Sequence, residues 1–590
     1  MAVNLRQEYP RPSLVRERWL SLNGKWQFDF DDQNQGLKEK WFSDAKKLSQ
    51  KINVPYAYQT PNSGINSQEY HEVVWYARDF EVPSEWRDDR ILLHFGAVDW
   101  EATVWVNGIV AGKHKGGYVP FSFDITDLLQ QGSNQLVVRV VDEDRINQPR
   151  GKQTATKQQW GCWYIPVTGI WQSVWLEPVS ATRFTDIFLR PDIDGEKLTI
   201  EYTLSQLQPG LSIEVVATDE GEILASAKVA GPSRISRWLD APLNRGTVNL
   251  SVPSPKLWSP ENPFLYDLVL RLKDGDEVLD ELKTYFGMRK VHIDHGQVYL
   301  NNRPYYQRLI LDQGYWVEGL YTAPSVEALR RDVELTKAMG FNGARKHQKI
   351  EDPYFYYFCD KLGLLVWSEM PACYEYDVEG AERLRREWTE AVLRDRNHPS
   401  IIAWVPINEG WGVDQLKGRV MPEATAHLMG LYYQTKSLDP TRLVVSNDGW
   451  QHAKTDMLTI HEYTQDKCDL KERYEAFRGN RHKTAFSHGL PILLPDFNYD
   501  GAPILVTEFG GVKVEEQQAE GWGYGKAALD YEEMVERIKG LVDVILEQDE
   551  VVGYCYTQLT DVQQEVNGLL DANHNPKVEV ELYKAAFRGK

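Results

Sequence analysis

The chain has 590 residues, 42% hydrophobic and 26% charged, with 66 Lys and Arg against 86 Asp and Glu and a net charge of −20. That balance is an ordinary globular one and excludes a disordered, collagen-like or coiled-coil chain; at about 150 residues per domain it predicts roughly four domains, with three to five allowed. So acidic a surface repels phosphate backbones and acidic lipid, and neither nucleic acid nor a membrane is an expected partner.

The first twenty residues carry charges at Arg6, Glu8, Arg11, Arg16 and Glu17, which interrupt any apolar signal segment. No run approaches the roughly 18 apolar residues of a membrane span. The cysteines Cys162, Cys359, Cys373, Cys468 and Cys555 are scattered without a C-x-x-C, so neither a disulfide framework nor a zinc ribbon is expected. Together these readings point to the cytoplasm. Aromatic residues, 69 of 590, are frequent enough for large β-domains or for sugar-stacking surfaces, and by themselves decide neither.

Residues 1–180 read as two-layer β. Ile91–Phe95, Ala102–Val106 and Gln135–Val141 are predicted strands, and Asn107-Gly108 between β-branched flanks is a two-residue hairpin signal. Residues 181–292 repeat the theme at smaller size, with strands at Lys197–Leu204, Leu211–Ala217, Thr247–Val252 and Tyr266–Leu272. From residue 293 to 590 the period changes. A helix over Pro324–Met339 stops at Gly340, and Phe341–Arg345 is a short strand. Asp352-Pro353 starts the next helix and Gly363 ends it. Further strands are expected at Leu364–Trp367, Ser400–Pro406, Leu443–Ser446, Ile504–Thr507 and Val551–Tyr556, with helices over Glu382–Arg396 and Tyr531–Leu546. Alternating strands and helices over about 300 residues predict a (β/α)8 barrel. A doubly wound sheet would want a glycine-rich phosphate loop, and none is found.

Catalytic groups of such a barrel sit where strands end. Two strand ends deliver a glutamate into a turn rich in glycine and aromatics: Ile401–Val405 leads to Asn408-Glu409-Gly410-Trp411, and Ile504–Thr507 leads to Glu508-Phe509-Gly510-Gly511. Two facing carboxylates are what glycosidic cleavage needs, one protonated for the leaving oxygen and one ionised for the sugar carbon. The thirteen histidines form no H-x-H or H-E-x-x-H, which argues against a metallohydrolase. Gly521-Trp522-Gly523-Tyr524-Gly525 has the composition of a loop whose rings could stack on a sugar.

Asn408-Glu409 and Glu508-Phe509-Gly510, about a hundred residues apart, resemble glycoside hydrolase family 2, which holds β-galactosidases, β-glucuronidases and β-mannosidases. The resemblance runs along nearly the whole chain, through Leu22–Trp26, Val104–Gly108, Gly116–Phe121, Thr168–Trp171, Tyr299–Pro304 and Leu364–Glu369. It implies a sugar-binding β jelly roll over residues 1–180, an immunoglobulin-like β-sandwich over 181–292 and a catalytic TIM barrel over 293–590. It implies Glu409 as acid/base, Glu508 as nucleophile, a retaining mechanism, Asn408 on the substrate 2-hydroxyl and Tyr463 beside the nucleophile. It implies a glycoside or oligosaccharide substrate and leaves room for a homo-oligomer. No cofactor is required, although acidic side chains of some members bind a divalent cation.

The departures from the family concern the sugar pocket. Leu311-Asp312-Gln313 stands where the family usually has His-Glu, and Arg345-Lys346-His347-Gln348 carries its histidine one position early. Trp160–Tyr164 lacks a carboxylate, Thr557 stands where the family has Trp, and Glu565–Leu569 lacks the lysine that glucuronidases use for the sugar carboxylate. Candidate substrate contacts are therefore Asn408, Tyr463, Arg345, His347, His461, Asp312 and Trp522. The expected activity is β-galactosidase-like, with an arabinosidase (furanose or pyranose) as alternative and a non-catalytic carbohydrate-binding protein as the alternative of another class.

Overall fold

The computed structural model describes residues 3–156, 158–231, 243–413, 421–479, 489–515 and 521–589. Asn107 and Gly108 have φ of 53° and 78°, the left-handed pair that a tight hairpin requires. They join Glu101–Val106 to Ile109–Lys115 at the edge of a six-stranded antiparallel sheet. A four-stranded sheet built on Arg90–Phe95 and Val174–Val179 faces it across a core of Trp26, Phe28, Tyr76, Leu93, Val104 and Val138. The second sandwich pairs Phe184–Asp192, Lys197–Leu204 and Arg245–Ser251 in one layer, with a five-stranded layer opposite. Leu14–Val15, near the start of the chain, is the edge strand of that second layer, paired with Thr284 and Lys283. The N-terminal segment thus crosses from one sandwich to the other.

The barrel holds eight parallel strands: β1 Gln307–Asp312, β2 Gly343–Lys346, β3 Leu365–Glu369, β4 Ile401–Val405, β5 Leu443–Val444, β6 Leu458–His461, β7 Ile504–Gly510 and β8 Val551–Thr557. Their order is β5-β4-β3-β2-β1-β8-β7-β6, a curled ladder whose two ends are bridged through Asp456. Its N–H donates to the Val444 carbonyl at 2.9 Å, and its carboxylate accepts from the Val444 N–H at 2.8 Å. Outside lie the helices α1 Val326–Ala338, α2 Pro353–Leu362, α3 Val378–Asp395, α4 Pro422–Leu438, α5 Lys467–Gly479, α6 Tyr531–Leu546 and α7 Val580–Arg588. The start and stop signals of α2 act as the sequence predicts: Asp352 accepts from the Tyr354 N–H, Pro353 opens the first turn, and Gly363 closes it at φ 78°. No described helix is long and apolar enough to cross a membrane.

Trp404 of β4 is a packing residue. Its ring meets that of Trp388 from α3 edge-on at 5.7 Å, and its indole N–H donates to Asp439 at 2.8 Å. Trp388 is wholly buried and donates to Thr435 of α4 at 2.8 Å. Trp388→Ala therefore removes a large ring and leaves the Thr435 hydroxyl without its donor. We expect a loss of about 3–5 kcal/mol, read as a lower urea midpoint for barrel unfolding at unchanged slope; a loss below about 1 kcal/mol would show that this layer repacks freely.

Candidate active site

Arg345 ends β2 inside the barrel, fully buried. A guanidinium there must be surrounded by acceptors, and it is. Nε donates to Glu369 Oε2 at 2.7 Å, Nη1 to Glu508 Oε1 at 2.7 Å, and Nη2 to Asn408 Oδ1 at 2.6 Å. Nη2 also lies 2.9 Å from Asp448 Oδ2. One side chain thereby gathers the ends of β3, β4 and β7 and the turn after β5.

Glu508 sits within β7, and both its oxygens are engaged on the barrel side. Oε1 takes the Arg345 bond, and Oε2 accepts from the Tyr463 hydroxyl at 2.6 Å. Burial would raise its carboxyl, but His461, Arg345 and His347 together with the Tyr463 bond outweigh burial and hold it at about 2. It is a carboxylate at any working pH. Tyr463 is steadied in turn by Thr557 Oγ1 at 2.9 Å and by the Tyr524 ring, stacked at 3.5 Å. Gly511 permits that stack, since a Cβ there would come within 2.5 Å of the Tyr524 ring.

Glu409 follows β4 with φ 53°, a left-handed conformation that costs a residue with a Cβ about 1–2 kcal/mol. The turn is held from the β5 side: the Glu409 N–H donates to the Asp448 carbonyl at 2.8 Å, and the Gly410 N–H donates to Asn447 Oδ1 at 2.8 Å. The Trp411 indole donates to Glu409 Oε2 at 3.3 Å. Between the two glutamates stands His461, at the end of β6. Its Nδ1 is 2.7 Å from Glu409 Oε1 and 3.5 Å from Glu508 Oε2, and its Nε2 is 3.1 Å from Asp448 Oδ2. Burial works against a charge on this ring, but Glu508 and the hydrogen bonds to Asp448 and Glu409 push it up to about 10. Gly449, at φ 104°, lets the β5 turn pass this ring, where a Cβ would fall 2.8 Å from Nδ1.

Among the described residues, Glu409, His461 and Glu508 form the group that could hold a metal, with one donor atom of each within 4.8 Å of the others. A cation bound there would have to replace the proton that His461 Nδ1 holds toward the carboxylates.

The other sequence candidates divide. Asn408 and Tyr463 lie in the cluster, and Asn408 Nδ2, wholly buried, has no hydrogen-bond partner among the described residues. His347 lies beside it, with Nδ1 2.9 Å from Glu369 Oε1. Asp312 is spent elsewhere: Oδ2 accepts from Lys346 at 2.7 Å and Oδ1 from the Gly314 N–H at 2.8 Å. Trp522 donates to the Gly161 carbonyl at 2.6 Å, and it is Tyr524 of the same loop that stacks on Tyr463, the partner of Glu508. Sequence reasoning missed Glu369 and Asp448 as members of the cluster. Each is a carboxylate that closes an apolar run, the same signal that marked Glu508.

One wall comes from the first sandwich. Its loop residues 143–156 and 158–168 lie against the barrel turns after β3, β7 and β8. The Arg150 N–H donates to the Ala372 carbonyl at 2.9 Å, Gln564 donates to the Gly161 carbonyl at 2.8 Å, and the Tyr164 hydroxyl donates to Glu565. Glu565 is buried and also accepts from Asn567 at 3.1 Å.

Comparison with known proteins agrees with this arrangement. Residues 19–177 match the sugar-binding domain of glycosyl hydrolases family 2, residues 182–289 match the family's central domain, and residues 291–589 match its TIM barrel domain. The chain belongs to glycosyl hydrolase family 2. It is 28% identical over 402 residues to a β-galactosidase of Thermoanaerobacter pseudethanolicus, covering 66% of this chain and 50% of that protein. It is 25% identical over 547 residues to a β-glucuronidase of Paenibacillus borealis, covering 85% of this chain and 84% of that one. The chain thus spans half the length of that galactosidase and most of that glucuronidase. In fold it is similar to a β-glucuronidase of Ruminococcus gnavus solved with D-glucuronic acid, at a TM-score of 0.77 and 22% identity over 99% of both chains. The family makes the chain a glycosidase scaffold; sugar specificity differs between these relatives.

The His461 charge carries a pH signature. Its folded value is raised, so the stability it contributes is fully present below its ordinary value of about 6.5 and is lost as pH rises toward about 10. In thermal melts, the gap in Tm between wild type and His461→Gln should be largest below about pH 6.5 and should shrink toward pH 10. A gap independent of pH would mean that the ring is neutral in the folded protein.

Proposed function

We propose that the chain is a retaining, exo-acting glycoside hydrolase that removes a terminal neutral sugar, with galactose as the first candidate because β-galactosidases are among its relatives. The observation that carries this reading is the pair Glu508 and Glu409, with an oxygen of each within 4.8 Å of the other and opposite environments around them. Retaining enzymes keep their carboxyl groups about 5–5.5 Å apart, too close for a water to stand between carboxylate and sugar as inversion requires.

Glu508, ionised and aimed by Arg345 and Tyr463, attacks the anomeric carbon. Glu409 gives its proton to the departing oxygen, then takes one from the water that releases the sugar. Glu409 Oε1 lies 2.7 Å from His461 Nδ1, and the far nitrogen of that ring is backed by Asp448 at 3.1 Å. The unpartnered Nδ2 of Asn408 is a donor for the sugar 2-hydroxyl, where a hydrogen bond strengthens as the oxocarbenium-like transition state forms. The loop over residues 143–168, laid against the barrel mouth, favours a pocket entered from one end.

Two features support a neutral glycone. Glu565 presents a buried carboxylate in the wall nearest the nucleophile's stack, and its carboxyl is pushed up by burial, with Lys152 pulling the other way. Leu569, where a glucuronidase-like lysine would be sought, is buried and apolar. An incoming uronate would meet a like charge or have to share a proton with it.

Glu508→Ala should lose turnover on the order of 10⁴-fold. Azide should partly restore it on substrates with good leaving groups and give product of inverted configuration; near wild-type turnover would exclude Glu508 as nucleophile. Specificity is read from kcat/KM for aryl β-galactoside, β-glucuronide, β-mannoside, α-L-arabinofuranoside and α-L-arabinopyranoside side by side. The neutral sugars should lead, and a β-glucuronide that outperforms all of them would overturn the neutral-glycone reading.

A further inference from the structure

The loop that carries Tyr524 is shaped around one placement of that ring. Tyr524 overlies Tyr463 almost face to face, with ring centroids 3.5 Å apart and planes 7° from parallel. Phenol rings left to themselves offset or meet edge-on, because their faces carry like charge, so the surroundings impose this overlap. Hydrogen bonds from three sides do so. The Tyr524 N–H donates to the Gly511 carbonyl at 2.9 Å, the Trp522 N–H to the Gln564 carbonyl at 2.9 Å and the Trp522 indole to the Gly161 carbonyl at 2.6 Å, while the Val566 N–H donates back to the Trp522 carbonyl at 3.0 Å. Three glycines make the room. A Cβ at Gly511 would fall 2.5 Å from the Tyr524 ring, one at Gly523 would fall 2.7 Å from Cβ of Lys513, and one at Gly525 would run into the Gln465 side chain. The ring is thus tied to the turns after β7 and β8 and to the first sandwich, yet neither the packing of the barrel nor the steps described so far use it.

Its partner gives it a use. Glu508 Oε1 is taken by Arg345, whereas Oε2 lies 3.5 Å from His461 Nδ1, on the Glu409 side, and accepts from the Tyr463 hydroxyl. In the two-glutamate reading Oε2 is therefore the oxygen placed to bond the sugar. Forming that bond removes its charge, and the Tyr463 hydrogen bond weakens. When water then attacks the sugar carbon and gives its proton to Glu409, the bond between that carbon and Oε2 breaks, its electron pair returns to Oε2, and the hydrogen bond strengthens again. A donor held on Oε2 thus favours release of the sugar over its capture. We propose that Tyr524 is a positioning residue for this release: by covering one face of Tyr463 it keeps the Tyr463 hydroxyl on Glu508 Oε2 while the glycosyl-enzyme breaks down. This rests on the two-glutamate reading above.

The test uses the full chain and the dinitrophenyl glycoside of the sugar preferred in the panel, whose leaving group departs so readily that release of the sugar limits turnover. Wild-type turnover of this substrate tests the glycosidase reading by itself, and its absence would take the role of Tyr524 down as well. Tyr524→Leu should lower kcat about tenfold, the worth of one aromatic pair. KM should fall with it, leaving kcat/KM within about twofold of wild type, and dinitrophenolate should appear in a burst close to one equivalent as the glycosyl-enzyme accumulates. Tyr524→Phe keeps the ring and should restore both constants. Gly511→Ala crowds the ring without removing it and should give the same split between kcat and KM, so the outcome does not hang on the folding of the leucine variant. A fall in kcat at unchanged KM with a reduced burst would mean that the loop merely supports the fold, and a kcat near wild type in both Tyr524→Leu and Gly511→Ala would mean that Tyr463 needs no cover. Either result would overturn the proposal.

Discussion

A single buried guanidinium fixes the geometry of this site. Arg345 has no exposed atoms to hydrate, so its five N–H donors must be answered by protein, and the answering groups are Glu369, Asn408, Asp448, Glu508 and the Thr507 carbonyl. Removing one partner from a buried ion pair costs about 3–5 kcal/mol, because the other charge is stranded. The same cost runs the other way here: each carboxylate that converges on the barrel axis is affordable only because Arg345 is there. Glu508 is thus aimed and held against repulsion by one side chain that itself stays behind it.

Glu409 is organised on a different principle. Glu508 lies in a strand, with its rotamer set by two short hydrogen bonds. Glu409 lies one turn beyond a strand, in a backbone conformation that only neighbouring loops can sustain, and its carboxylate is the more exposed of the two, at 16% against 6%. A nucleophile needs a fixed line of attack, whereas an acid/base must serve first the leaving group and then a water. His461 stands between Glu409 and Glu508, near enough to both carboxylates to stabilise charge on either.

That Glu409 and Glu508 come together was legible because an apolar strand that leads to a carboxylate breaks the pattern of its own strand. The same rule applied evenly would also have returned Glu369 and Asp448, which end or follow apolar runs in the same manner. The start and stop of α2 could be read from Asp352, Pro353 and Gly363, because caps and stops act locally. β6 could not: Leu458–His461 is four residues long and has no alternation to mark it. Which ring of the loop at 521–525 mattered was equally hidden. Trp522 and Tyr524 are equivalent in the sequence, and the choice of Tyr524 depends on the open space over Gly511. Asp312 was a reasonable candidate from its place at the end of β1, yet Lys346, one strand over, claims it. Local chemistry is written in the chain, while the choice among neighbouring candidates belongs to packing between segments hundreds of residues apart.

The site has a floor and a wall of different origin. Arg345 and its carboxylates belong to the barrel, but the described residues of the segment, 143–156 and 158–168, belong to a separate sandwich, reach the site without a regular helix or strand, and are joined to the barrel turns largely through main-chain carbonyls and amides. Backbone contacts of that kind tolerate exchange of the side chains between them. The wall and the floor are therefore separable parts of this molecule: side chains of the wall can be exchanged without moving Arg345 or the carboxylates gathered around it.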